Sequence, residues 1–169
     1  MQADPAKALA PLDLDKQIPK KGDQRQMEPW QRIGTYAAGL ALDSAGNHYV
    51  SDCCSAGNQV ERLDPTGALV QTIGGPGNGP GLFGDQPGGI AVDAQGRMFV
   101  TEGPSGTGDR IQVFDADGTF LSSFGSKGTG DGQFGFATSV ALDGHGNVYV
   151  ADAGANRIEK FSLQPPFAP

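Results

Sequence analysis

The 169-residue chain has no apolar run near the ~18 residues that a membrane helix requires, so no membrane span is expected. Its opening stretch, MQADPAKALAPLDLDKQIPKK, lacks the continuous apolar core of a secretory signal. A genuine start at Met1 implies the cytoplasm, whereas prior removal of a signal would imply an extracytoplasmic protein; the sequence leaves this open. Histidine is scarce: His48 sits in an apolar segment and His145 in a turn, and no Ser-His-Asp set can be assembled around them. The two cysteines, Cys53 and Cys54, are adjacent, which excludes a disulfide framework or a four-ligand zinc site built from them alone. Basic residues are few, 12 against 19 acidic ones, for a net charge of −7. Six of the 12 fall in residues 1–32 with five acids, and the remainder holds six against fourteen. A body this acidic repels phosphate, which argues against nucleic acid as a partner.

Glycine is plentiful, 27 residues, and it recurs at set places beside Val/Ile/Leu/Tyr/Phe runs, which is turn chemistry between strands. Three segments align: GLALDSAGNHYVSD from Gly39, GIAVDAQGRMFVTE from Gly89 and SVALDGHGNVYVAD from Ser139, each 50 residues after the last. Each reads as an apolar strand, an Asp-x-x-Gly turn, a second apolar strand and an acid. Strands apolar on both faces must be covered on both faces. Asp43, Asp93 and Asp143 open turns whose glycine takes the positive φ a short hairpin needs. A third strand follows in each unit (NQVERLD, DRIQVFD, NRIEKFS), alternating apolar and polar residues as expected further from a core. LVQTIG and FLSSFG supply a fourth. Four antiparallel strands per unit predict an all-β chain of β-propeller blades.

The pattern GxAxDxxGNxYVAD…NRI…F and the glycine-rich link GSKGTGDGQFGFATSVALD resemble the NHL-repeat family of propellers, over about residues 31–163. The resemblance implies four-stranded blades at 38–74 and 88–125, a partial blade at 138–163 and, in WQRIG, a closing strand at 31–34 that completes the last blade from the N-terminus. Residues 1–30 are then an irregular arm and 164–169 a tail. One, four, four and three strands make three blades, half of a six-bladed ring. Two readings complete it: a homodimer of half-rings, or further blades of a longer chain. The arm carries five of the 12 basic residues and is expected either to lie across acidic surface or to form a plain tail.

The family places the loops after the second strands and the inter-blade links on one rim, commonly the one that binds ligands. On it fall Asp52, Cys53, Cys54, Phe83, Asp85, Glu102, Asp131, Phe134 and Asp152. Each has a structural reading beside the binding one. Asp52, Glu102 and Asp152 form an acidic ring able to hold a cation, or pair with Arg110, Arg157 and loop amides. Phe83 and Phe134 anchor the links, or offer apolar contacts. Cys53 and Cys54 form an eight-membered disulfide ring, hold a soft metal, or simply replace the Ala-Gly of the last repeat. The links precede no helix and lack a Lys-Ser/Thr ending, so they are no P-loop. The resemblance implies a non-catalytic binding scaffold for a protein or other ligand, with no cofactor and no catalytic residues assigned. The alternative is half the ring of a metal-dependent NHL-type lyase or hydrolase; the lyases use several histidines, and His48 and His145 do not converge.

Overall fold

A computed structural model describes residues 36–54, 57–103 and 109–163. The expected closing strand, Trp30–Gly34, lies outside the described residues, as do the arm and the tail. Among the described residues there is no helix, and so none long and apolar enough to cross a membrane. Eleven strands of the described residues form three antiparallel sheets. The first contains β1 (Ala37–Leu42), β2 (His48–Asp52), β3 (Gln59–Leu63) and β4 (Leu69–Gly74) in sequential order. The second repeats this with β5 (Pro87–Val92), β6 (Met98–Glu102), β7 (Arg110–Phe114) and β8 (Phe120–Phe124). The third has β9 (Ala137–Leu142), β10 (Asn147–Asp152) and β11 (Arg157–Ser162).

The Asp-x-x-Gly turns form as their chemistry requires. An Asp143 carboxylate oxygen accepts the main-chain N–H of His145 at 2.8 Å and of Asn147 at 3.1 Å, and Asp43 and Asp93 do the same in their turns. Gly46, Gly96 and Gly146 take φ of 84°, 80° and 83°. The same device closes the β3–β4 and β7–β8 turns, where Asp64 and Asp115 accept the amides two and four residues on.

The sheets stack face to face with a fixed polarity. Ala41, Tyr49, Val60 and Ile73 of the first sheet pack on Ile90, Met98, Val100 and Phe114 of the second. The other face of the second, Phe99, Ile111 and Val113, packs on Val140, Val148 and Val150 of the third. Both described junctions therefore join the face bearing Tyr49 or Phe99 of one sheet to the face bearing Val100 or Val150 of the next. β1 lies against β5 and β5 against β9, so the first strands of the three units run side by side.

One expectation is corrected here. The third strand of the middle unit does not alternate: Ile111, Gln112, Val113 and Phe114 are all buried. Sheets cover both sides of β7, and Gln112 stays polar because it is fully bonded. It donates to Leu82 O at 2.9 Å and Glu102 Oε2 at 3.0 Å and accepts from Gly81 N at 2.9 Å. In β11, with a neighbour on one side only, the alternation is present.

Candidate functional site

The links between sheets and the described ends of the loops after β2, β6 and β10 lie on one rim. Each described link folds around a phenylalanine. Phe83 N donates to Gly75 O at 2.8 Å and Phe134 N to Ser126 O at 2.7 Å, and both rings are fully buried. Phe83 packs on Phe114 and Phe134 on Phe161. Gly74 and Gly125, at φ 83° and 86°, lie directly beneath these rings, where a Cβ would collide with them.

The recurring acids tie the links down. Glu102, 1% exposed, accepts Gly84 N at 2.8 Å and Asp85 N at 3.2 Å, and pairs with Arg110 at 2.7 Å. Asp152, also 1% exposed, accepts Gly135 N at 3.1 Å, Phe136 N at 2.9 Å and Ala155 N at 3.3 Å, and faces Arg157 at 3.4 Å. Burial works to raise the Asp152 carboxyl, but these amides and the guanidinium outweigh it and hold its pKa below the ordinary value. The arginines continue outward: Arg157 donates to the carbonyls of Thr129, Gly130 and Gln133, and Arg110 to those of Gly79 and Leu82. Arginine's fork suits this clamp, because one planar head meets several acceptors.

The first repeat departs from this scheme. Asp52 is buried and accepts Tyr36 N at 3.2 Å, but Gln59 stands where the other repeats carry arginine, and its amide turns to Glu61. Cys53 and Cys54 follow at once and are joined as a disulfide. Cys53 N donates to Tyr36 O at 3.0 Å, the bond that Gly103 makes to Gln86 and Ala153 to Phe136. Cys53 is buried, whereas Cys54 is exposed at φ 70°.

Of the expected site residues, Asp52, Phe83, Asp85, Glu102, Phe134 and Asp152 are thus buried beneath the rim, while Cys54 and Asp131 are exposed on it. Cys53 lines a cavity of about 160 Å³ with Ala38, Pro87, Gly88, Ala137 and Thr138, where the three first strands begin. His145 is exposed in a turn of the opposite rim, and His48 opens β2. Among the described residues no three His, Cys, Asp or Glu side chains are grouped as a metal site would need. Two residues escaped the sequence reading. Gln112 signals itself only as a polar residue in an otherwise apolar unit. Asp109, 2% exposed with both carboxylate oxygens unbonded, stands where the other repeats have Asn58 and Asn156. Burial pushes its pKa up; Lys127 opposes this, and Asp85 and Asp152 add to it. The opposite rim holds a second cavity, of about 240 Å³, between the Asp93 and Asp143 turns and Leu163.

Repeated antiparallel sheets stacked through glycine-rich links, each with its first strand innermost, are blades of the β-propeller class. Solved structures agree at the level of fold. A nidogen/laminin complex contains a chain with a TM-score of 0.56 and 21% identity, covering 73% of this chain and 43% of that one. Virginiamycin B lyase from Staphylococcus aureus matches with a TM-score of 0.54 and 14% identity, over 81% and 44% of the two chains. No family model matches the chain. NHL repeat-containing protein 3 of Mus musculus is 37% identical over 109 residues, 62% of this chain and 31% of the relative. The chain carries repeats similar to those of this NHL repeat-containing relative, and the match spans about a third of the length of that curated protein.

Proposed function

We propose that this chain is a non-catalytic binding scaffold that presents the linked rim to a protein partner. The observation that carries the reading is how the rim's acids are used. Glu102 and Asp152 hold main-chain amides and an arginine, so their oxygens stiffen loops and do not stand free for proton transfer or metal ligation. What remains outward is a firm platform bearing Cys54, Lys127 and Asp131. A preorganised loop surface binds without the entropy cost of ordering itself. Amine-directed crosslinking of the native protein in its source cells tests this. Crosslinks to another protein are expected from Lys127, and partner crosslinks confined to Lys160, on the outer face of the third sheet, overturn the reading.

The proposed ring is six-bladed, two copies each giving three blades, with the Trp30–Gly34 strand completing a third sheet. Its support is the match between the two uncovered faces. On the third sheet Tyr149, with Lys160 5.6 Å above its ring, and Ile158 occupy the places of Tyr49, with Arg62 5.7 Å above it, and Val60 on the first. Val60 is 0% exposed and Ile158 is 66% exposed. On the first sheet Leu40 is 61% exposed, whereas its counterparts Ile90 and Val140 are 7% and 6% exposed. Each end therefore offers the half-junction that the other end lacks, and a second copy satisfies both by two-fold rotation. Light scattering is expected to give twice the chain mass, falling to one chain in Leu40→Asp; a folded wild-type monomer at micromolar concentration removes the second copy.

A further inference from the structure

We propose that Cys53 and Cys54 form a redox-convertible thiophilic site at the mouth where the first strands converge. Oxidised, the pair is the disulfide ring; reduced, it is a pair of adjacent thiols that captures a trivalent arsenical as representative of soft, sulfur-seeking ligands. The inference stands apart from the scaffold reading.

The fold does not call for cysteine at either position. The Cys53 main-chain bond to Tyr36 is reproduced by Gly103 and Ala153, so any small residue meets the need. Cys54 sits at φ 70°, a region that disfavours side chains, whereas Gly154, the aligned residue of the third repeat, is not left-handed and is small because it lies against the Gly135–Phe136 backbone. The Cys54 sulfur is therefore held where the backbone disfavours a side chain, an outlier of the kind that marks function.

Accessibility is divided between the two. Cys54 is exposed, whereas Cys53 is 9% exposed and forms a wall of the 160 Å³ cavity. The cavity's other walls include Ala38, Pro87, Gly88 and Ala137, small groups that leave room for an apolar substituent beside the sulfurs.

The chemistry closes without an unnamed reagent. A thiolate of an external dithiol attacks Sγ of Cys54, the S–S bond breaks, and Cys53 leaves as thiolate. The second thiol of the reagent then attacks the mixed disulfide and releases Cys54. The reagent ends as a cyclic disulfide, and its two protons end on Cys53 and Cys54. When the dithiol meets phenylarsine oxide, two As–S bonds replace the bond to oxygen. The oxygen leaves as water with both thiol protons, and arsenic stays trivalent.

The test is mass spectrometry of the folded full chain. As isolated, it should take no iodoacetamide; after dithiothreitol, it should take two groups per chain. The reduced chain should take one phenylarsine oxide, which blocks both alkylations. Cys54→Gly should take one alkyl group and at least tenfold less arsenical at equal reagent. Cys53→Ala with Cys54→Gly, which restores the third repeat's Ala-Gly, should take neither. The proposal is overturned if the wild type still alkylates at both cysteines after diamide treatment, if diamide joins chains through interchain disulfides, or if reduced wild type holds the arsenical no better than Cys54→Gly.

Discussion

The middle sheet and the two end sheets are built from the same repeat and live in different surroundings. β6 is buried along its whole length, whereas β1 and β11 leave alternate or successive residues open. Position in the stack therefore decides which residues are core, over and above their own hydrophobicity. Ile158 is as apolar as Ile111, yet one is 66% exposed and the other 0%. A blade's inner chemistry is local to the repeat, but its burial is a property of its neighbours.

The sharpest way to break that contrast is truncation at matched depth. Phe99→Ala in the middle sheet should cost about 3–5 kcal/mol by urea unfolding, while Leu40→Ala in the first should stay within about 0.5 kcal/mol in dilute monomer. Equal costs would mean that the end faces are covered. Next come the buried acids. Glu102→Ala strips two link amides, an arginine and Gln112 of their acceptor, and should cost about 3 kcal/mol. Asp52→Ala, with the Tyr36 amide and no arginine, should cost about 1 kcal/mol. Proteolysis within residues 75–86 should accelerate in the first variant and not in the second.

Asp109→Asn should stabilise by about 1 kcal/mol at pH 7, because it removes a buried, unbonded carboxylate and installs the residue both end repeats carry. The sign follows from a folded pKa raised above 3.8. The penalty is absent below that value and grows as the pH rises through the folded value, so the gain should vanish in acid thermal melts. The smallest effect concerns a feature that ought not to depend on position. Bonding to Asn147 and the turn amides holds Asp143 at about 2. Its stabilisation is complete above 3.8 and is lost as the pH falls toward 2. Asp143→Asn should flatten the acid limb of a pH–Tm profile over that window, and Asp43→Asn, whose carboxyl is shifted the same way, should do likewise.

Much of the strand order was legible, because the turn chemistry is written in each repeat. Asp43, Asp93 and Asp143 bond amides two and four residues away, a range within which sequence alone specifies geometry. The placement of Phe83 and Phe134 under the links followed from the resemblance. What could not be read was anything set by an adjoining sheet. Gln112 looked solvent-facing because its strand alternates, yet its partners lie 10 to 31 residues away. Asp109 aligns with Asn58 and Asn156, and nothing nearby in the chain reveals that its carboxyl is enclosed. Cys53 and Cys54 were visible as an oddity, but the cavity beside them is assembled from the starts of three separate strands.

The fixed order of faces at each junction gives the molecule a grammar of addition. A further 50-residue unit spliced in after Gly125 would meet, on both sides, surfaces already shaped to receive it. Neither existing junction would have to be remade, but a ring closed by two such chains would then hold eight blades in place of six.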